Sequence, residues 1–199
     1  RPKIGKSSFA QSVAGGMAAQ GLPTLILSME MPDVEVADRA VTMTGSVDYS
    51  ALLSGKLDRD NWSRVSDALH HLSALPLYVD DTPGLTISAV KAKARTVKGL
   101  KVLVLDYLQL MSGTKGDDNR NSQLEVITRG LKAMAKTDGL AIIALSQLNR
   151  EVEKRPGRRP QLSDLRDSGS IEQDADAVVF LWPARELPAE GRRIIGLAV

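Results

Sequence analysis

An α/β fold with a mostly parallel central sheet and helices on both faces is predicted by three features of this 199-residue chain. Short apolar runs alternate with stretches of helical period. Three of those runs end on a polar side chain, at Glu30, Asp106 and Gln147. Gly5-Lys6-Ser7 is the second half of the phosphate-loop pattern G-x-x-x-x-G-K-[ST], and it stands directly before a helical stretch. In open parallel sheets ligands sit at the carboxyl edge, where all of these residues are expected to project.

In chain order, Phe9, Val13 and Met17 recur at helical spacing with Ala10 and Ala14 beside them, so a first helix follows the loop. Gly21-Leu22-Pro23 stops it. Thr24 to Met29 reads as a buried strand ending at Glu30. Pro32-Asp33 opens a second helix carrying Val36, Ala37, Ala40 and Val41, and Gly45 to Asp48 is a break. Asp60 starts a helix on which Trp62, Val65, Leu69 and Leu72 keep the period. Leu77 to Val79 is a short strand. Thr86 caps a helix with Ile87, Val90, Ala94 and Val97 on one face. Val102 to Leu105, continuously apolar and closed by Asp106, describes a central parallel strand. Ser112 to Ser122 is a polar loop, and Leu124, Ile127, Leu131 and Met134 mark a long helix. Leu140 to Ser146 is a strand ending at Gln147. Ala177 to Trp182 and Arg193 to Val199 are further strands. No repeat, low-complexity tract or domain boundary interrupts residues 1–199, which read as one domain. The leading glycine of the loop pattern falls before Arg1, so the chain reads as opening inside the loop and closing within a strand.

Hydrophobic residues make up 43% and charged residues 25%, as in ordinary soluble domains. The absence of cysteine excludes a disulfide framework and thiolate metal sites, and is compatible with a cytoplasmic protein. No apolar run approaches the roughly 18 residues of a membrane span, so no membrane partner is expected. The net charge of +2 is too small to imply nucleic-acid binding; clustering matters more. Arg150, Lys154, Arg155, Arg158, Arg159 and Arg166 form a basic stretch broken by Pro156 and Pro160. Such a loop can grip a polymer's phosphates or simply be a solvated surface loop. Aromatic platforms are absent nearby, which leaves the backbone as the thing gripped. His70-His71 reads as partly buried helix surface.

The chemistry at the predicted sheet edge follows from the residue types. Gly5, Lys6, Ser7 and Ser8 offer successive backbone N–H groups to a phosphate, Lys6 reaches the β and γ oxygens, and the Ser7 hydroxyl can bind Mg²⁺. Asp106 can hold Mg²⁺ through water, or cap a turn. Glu30 can orient and deprotonate an attacking water, or serve as an acid at a helix N-terminus. Gln147, a donor and an acceptor at once, can sense a γ-phosphate, or satisfy nearby backbone.

Ser28-Met29-Glu30-Met31, Leu105-Asp106-Tyr107-Leu108-Gln109-Leu110-Met111, Ser146-Gln147-Leu148-Asn149-Arg150 and the run from Asp164 to Asp176 occur in order. Together they resemble the RecA-like C-terminal motor domain of the DnaB replicative helicases, and the resemblance covers nearly the whole chain. It implies a P-loop NTPase that hydrolyses ATP with Mg²⁺ between subunits of a homohexamer and moves 5′ to 3′ on single-stranded DNA. Primase and a helicase loader are the partners it implies. By position, Lys6 and Ser7 would bind nucleotide and metal, Glu30 would be the catalytic base, Asp106 the Walker B acid and Gln147 the γ-phosphate sensor. Arg150, Asp167 and Gly169 match positions that touch the DNA backbone. Asp167 stands where many members have Glu; a carboxylate repels phosphate, so its expected job is to hold a basic neighbour or the loop. The family's trans-acting Lys and Arg would follow Val199. Trp182-Pro183 replaces a Tyr-Arg pair that lies against adenine in many members. The alternative is a recombinase-type filament ATPase that binds single-stranded DNA without unwinding it.

Overall fold

The computed structural model describes residues 4–113, 119–149, 152, 159–187 and 192–199, with backbone alone at 166–169, 184–187 and 192–194. Four parallel strands form the central sheet: β1 Thr24–Ser28, β2 Leu77–Asp80, β3 Val102–Asp106 and β4 Ala141–Ala144, in the order β2-β1-β3-β4. The two middle strands are buried along their whole length, as continuous apolar runs require when both faces are covered. Ser28 pairs with Asp106 in the β1–β3 register, so the two strands end level at the carboxyl edge.

Alternation along the strands sorts the core into two layers. Leu25, Leu27, Leu103 and Leu105 face helices α5 Ile87–Thr96 and α6 Arg120–Asp138, meeting Val90, Leu124, Ile127 and Met134. Ile26, Val102 and Val104 face α1 Lys6–Ala19 and α2 Asp33–Gly45. On α1 the buried stripe is Ala10, Ala14 and Ala18 with Gln11, whereas Phe9 is exposed. Small side chains bring this helix close to the sheet, which carries its N-terminus to the strand ends.

Several expectations are corrected by the structure. A short helix, α3 Tyr49–Leu53, follows the predicted break; its cap is Asp48, whose side chain accepts from the Ala51 N–H. The next helix, α4 Arg59–Ser73, is capped by Asp58 rather than started by Asp60. It packs on α2 and buries only Val65 and Ala68, so Trp62 and Leu69 are exposed instead of core. His70 and His71 are exposed too, not partly buried. Helix α6 begins at Arg120, inside the segment read as loop. Strict strand–helix alternation also ends after β4. A 3₁₀ segment Leu162–Ser168 leads into a short helix α7 Gly169–Asp174. Strands β5 Phe180–Leu187 and β6 Arg192–Ala198 then pair antiparallel in a sheet of their own. No described helix is long and apolar enough to cross a membrane.

Candidate functional site

The site is built where α1 begins against the ends of β1, β3 and β4. Gly5 precedes α1 at φ 94°, ψ 20°, a left-handed conformation that a residue with a Cβ adopts only at a cost. Its carbonyl accepts the Phe9 N–H at 2.9 Å, the first turn of α1. The backbone N–H groups of that first turn have no partner within the helix, which is what an anion needs. Ser7 and Ser8 are half-buried in the same turn.

Lys6 projects across the strand ends. Its ammonium donates to the Ser146 carbonyl at 3.2 Å and lies 5.2 Å from the centroid of the Tyr107 ring. Burial pulls its pKa below the ordinary lysine value, and the charges of Asp106 and Glu30 oppose that shift. One cation therefore feels both predicted carboxylates. Tyr107 reports the same neighbourhood: burial first, then the charges of Glu30 and Asp106, push its hydroxyl pKa above the ordinary tyrosine value, and the nearby Gln147 side chain opposes that shift.

Each carboxylate is held by its strand. Asp106 is 4% exposed, and its Oδ1 is buried without a hydrogen-bond partner among the described residues. Buried carboxylate oxygens are normally satisfied, so an orphaned one beside a phosphate loop fits a hydrated cation. Glu30 sits on an exposed bend after β1. Ser28 Oγ pins that bend, donating to the Met31 carbonyl at 2.7 Å and accepting the Met31 N–H at 3.3 Å. The Met29 N–H donates to the Asp106 carbonyl at 2.9 Å, which ties the two strand ends together. Gln147 is exposed just beyond β4.

Lys6, Glu30, Asp106 and Gln147 are thus brought to one rim. Three side chains not given a role from the sequence stand among them: Tyr107, Gln109 and Ser146. Gln109 Nε2 donates to Ser146 Oγ at 2.8 Å. The available signal was a polar Gln109 inside the apolar run Leu108 to Met111. Of the residues expected to touch DNA, Arg150 lies outside the described residues. Asp167 belongs by its backbone to the 3₁₀ segment, and its side chain is outside the described part. Gly169 opens α7 rather than sitting in an open loop. That region is tethered to the rest: Thr128 Oγ1 on α6 donates to Asp174 Oδ2 at 2.6 Å, and the Asn149 N–H donates to the Asp164 carbonyl at 3.0 Å.

A lysine and carboxylates at the carboxyl edge of a parallel sheet recur in many families. The profile described as "DnaB-like helicase C terminal domain" matches residues 1–192. This chain belongs to that family. As a DnaB-like C-terminal domain it is 41% identical over 187 residues to the replicative DNA helicase DnaB of Geobacillus stearothermophilus, across 92% of this chain and 41% of the relative. It is 40% identical over 187 residues to the replicative DNA helicase DnaC of Bacillus subtilis, with the same coverage of 92% and 41%. The chain therefore spans about two fifths of the length of the curated relatives it matches. Among solved structures, an ATPase domain superposes with a TM-score of 0.89 at 31% identity, covering 99% of this chain and 78% of that one. A DnaB-like replicative helicase, studied with its interactions with primase, gives a TM-score of 0.90 at 31% identity, covering 99% of this chain and 52% of that one. The fold of this DnaB-like domain is RecA-like, as the sequence motifs imply, and the recombinase alternative is not favoured.

Proposed function

We propose that residues 1–199 form the ATP-hydrolysing motor domain of a replicative DNA helicase, acting as a homohexamer on single-stranded DNA in the cytosol. The observation that carries this reading is the convergence of Lys6, Glu30 and Asp106 at the carboxyl edge, where β1 and β3 end level and Lys6 reaches across to the Ser146 carbonyl. Gly5, Lys6, Ser7 and Ser8 hold the phosphates through backbone N–H groups and the Lys6 ammonium. Ser7 and Asp106 are the residues that would hold Mg²⁺, and the orphaned Asp106 oxygen supports that assignment. The ion, when bound, neutralises charge on the β and γ oxygens. Glu30, reaching in from its bend, orients a water and takes its proton as the water attacks the γ-phosphorus in line, and the bond to the bridging oxygen breaks so that ADP leaves. Gln147 reads whether the γ-phosphate is there, and passes that on along the chain toward Asn149 and Arg150. Arg150, Asp167 and Gly169 face the DNA backbone in this reading. Movement is 5′ to 3′, and primase and a loader are the expected partners.

The deciding experiment is strand displacement by the full-length protein. Forked DNA should be unwound with ATP, and Lys6→Ala should abolish unwinding. Unwinding that survives Lys6→Ala, or never occurs in the parent, would sink the proposal. Electron microscopy of the same protein tests the ring, against an open filament.

A further inference from the structure

Gln109 stands in the 3₁₀ helix Leu108–Leu110, just past Asp106. Both ends of its amide are engaged. Nε2 donates to Ser146 Oγ at 2.8 Å, and Oε1 accepts the Gln147 N–H at 3.2 Å. Those partners are consecutive residues beyond β4, and the Ser146 carbonyl is the group that accepts from Lys6 Nζ at 3.2 Å. The side chain therefore bridges the segment after β3 to the segment after β4, at the point where the phosphate-loop lysine touches down.

The backbone carrying Gln109 is itself held. The Leu108 N–H donates to the Leu145 carbonyl at 2.9 Å. Arg120, the first residue of α6, donates through Nη2 to the Gln109 carbonyl at 2.7 Å. Its two terminal nitrogens each donate to the Met111 carbonyl at 3.1 Å. A planar guanidinium suits this clamp because its donors are fixed in a fork. A primary amide offers a donor and an acceptor on two separate atoms at the end of an unbranched side chain. A carboxylate or an aliphatic group of that size loses one bond or both.

We propose that Gln109 is a positioning residue that sets Ser146 and Gln147 relative to Lys6, with Arg120 as the buttress of its backbone. This rests on the nucleotide-motor reading and deepens it. Gln109 grips the Gln147 backbone rather than its side chain, so it fixes where the sensor starts from and leaves the sensor amide to act. Displacing a reacting or sensing group by about 1 Å can lower a rate up to 10²-fold without touching the binding groups. The effect of losing Gln109 therefore belongs in kcat.

The test is steady-state ATP hydrolysis by the full-length protein at saturating single-stranded DNA. Gln109→Leu keeps the volume and removes both bonds. Gln109→Asn keeps the amide but is one methylene too short to span them, and it carries the test if the leucine variant does not fold. Both variants should lose roughly tenfold or more in kcat, with KM for ATP within about twofold of the parent. Adding Gln147→Ala to either variant should cost little beyond Gln147→Ala alone, because residues acting as one unit are not additive. Parental kcat in Gln109→Asn, a raised KM with kcat intact, or additive losses in the double variant would overturn the proposal. A parent protein without DNA-stimulated hydrolysis would overturn the motor reading, and this inference with it.

Discussion

Gly5 and Gln147 carry the sharpest consequences for single residues. Gly5 holds φ 94°, where an L side chain is strained, yet no atom of the described residues lies within 4 Å of the position a Cβ would take. The cost of Gly5→Ala is thus backbone strain alone. It should amount to about 1–3 kcal/mol in a denaturant melt, and nucleotide affinity should fall with it as the loop relaxes. A variant of unchanged stability would mean that the loop conformation is not constrained. Gln147 is tied to Gln109 through its N–H, and its side chain lies near the Tyr107 hydroxyl. Gln147→Ala should keep nucleotide binding and lose DNA-stimulated turnover. An ATPase titration with single-stranded DNA that still shows normal stimulation refutes the sensor role. At this scale the placing of Lys6, Glu30, Asp106 and Gln147 at one rim was legible, because Lys6 opens a helix and the other three close apolar runs. Ser146 was not, because it acts through its carbonyl as well as its hydroxyl, and a backbone acceptor has no signature in residue type.

Among the elements, β2 and α5 are joined by the Asp80–Lys93 ion pair, at 2.5 Å. Burial raises the Asp80 carboxyl, but the Lys93 ammonium and the Thr82 N–H outweigh it, and the net shift is downward from 3.8. A carboxyl depressed in the folded state stabilises fully above its unfolded value, and that contribution is lost as pH falls through the folded value. Lys93→Met should therefore lower stability at neutral pH by about 0.2–1 kcal/mol, the range for pairs still open to solvent. The difference from the parent should vanish in acid. Thermal melts of both proteins across that range check it; a difference independent of pH would assign the loss to packing instead. Helices with one strong neighbour were legible in detail, as α5 and α6 bury the faces their periodicity marks. Helix α4 was not. Periodicity shows that a helix has an apolar stripe, but α4 leans on α2 rather than on the sheet, and a helix contact covers less than a sheet does. Hence Trp62 and Leu69 stay in solvent.

For the whole molecule, the proposed reading has the basic stretch after Gln147 grip phosphates rather than bases. Affinity of the full-length protein for single-stranded DNA should fall linearly on a log–log plot against salt, with a slope of about −0.7 per phosphate neutralised. It should change little with base sequence. Fluorescence anisotropy at several salt concentrations measures this; a flat salt response would shift the grip to stacking. In the proposed reading, two described contacts link the nucleotide rim to the region assigned to DNA. The segment after Gln147 meets the 3₁₀ segment at Asn149–Asp164, and α7 is fastened to α6 through Thr128–Asp174.

Residue order and chemistry alone were enough to specify the α/β class, the buried central strands, the glycine turn that opens α1 and the acid at the end of β3, since these are local properties: a period, an apolar run, a glycine before a lysine. Which strands are neighbours is not local. The order β2-β1-β3-β4, and the antiparallel pairing of β5 with β6 apart from that sheet, depend on partners distant in the chain. The amide bridge from Gln109 to Ser146 and Gln147 is of the same kind. It exists only because β3 and β4 are adjacent and parallel, so that the segments leaving them run side by side.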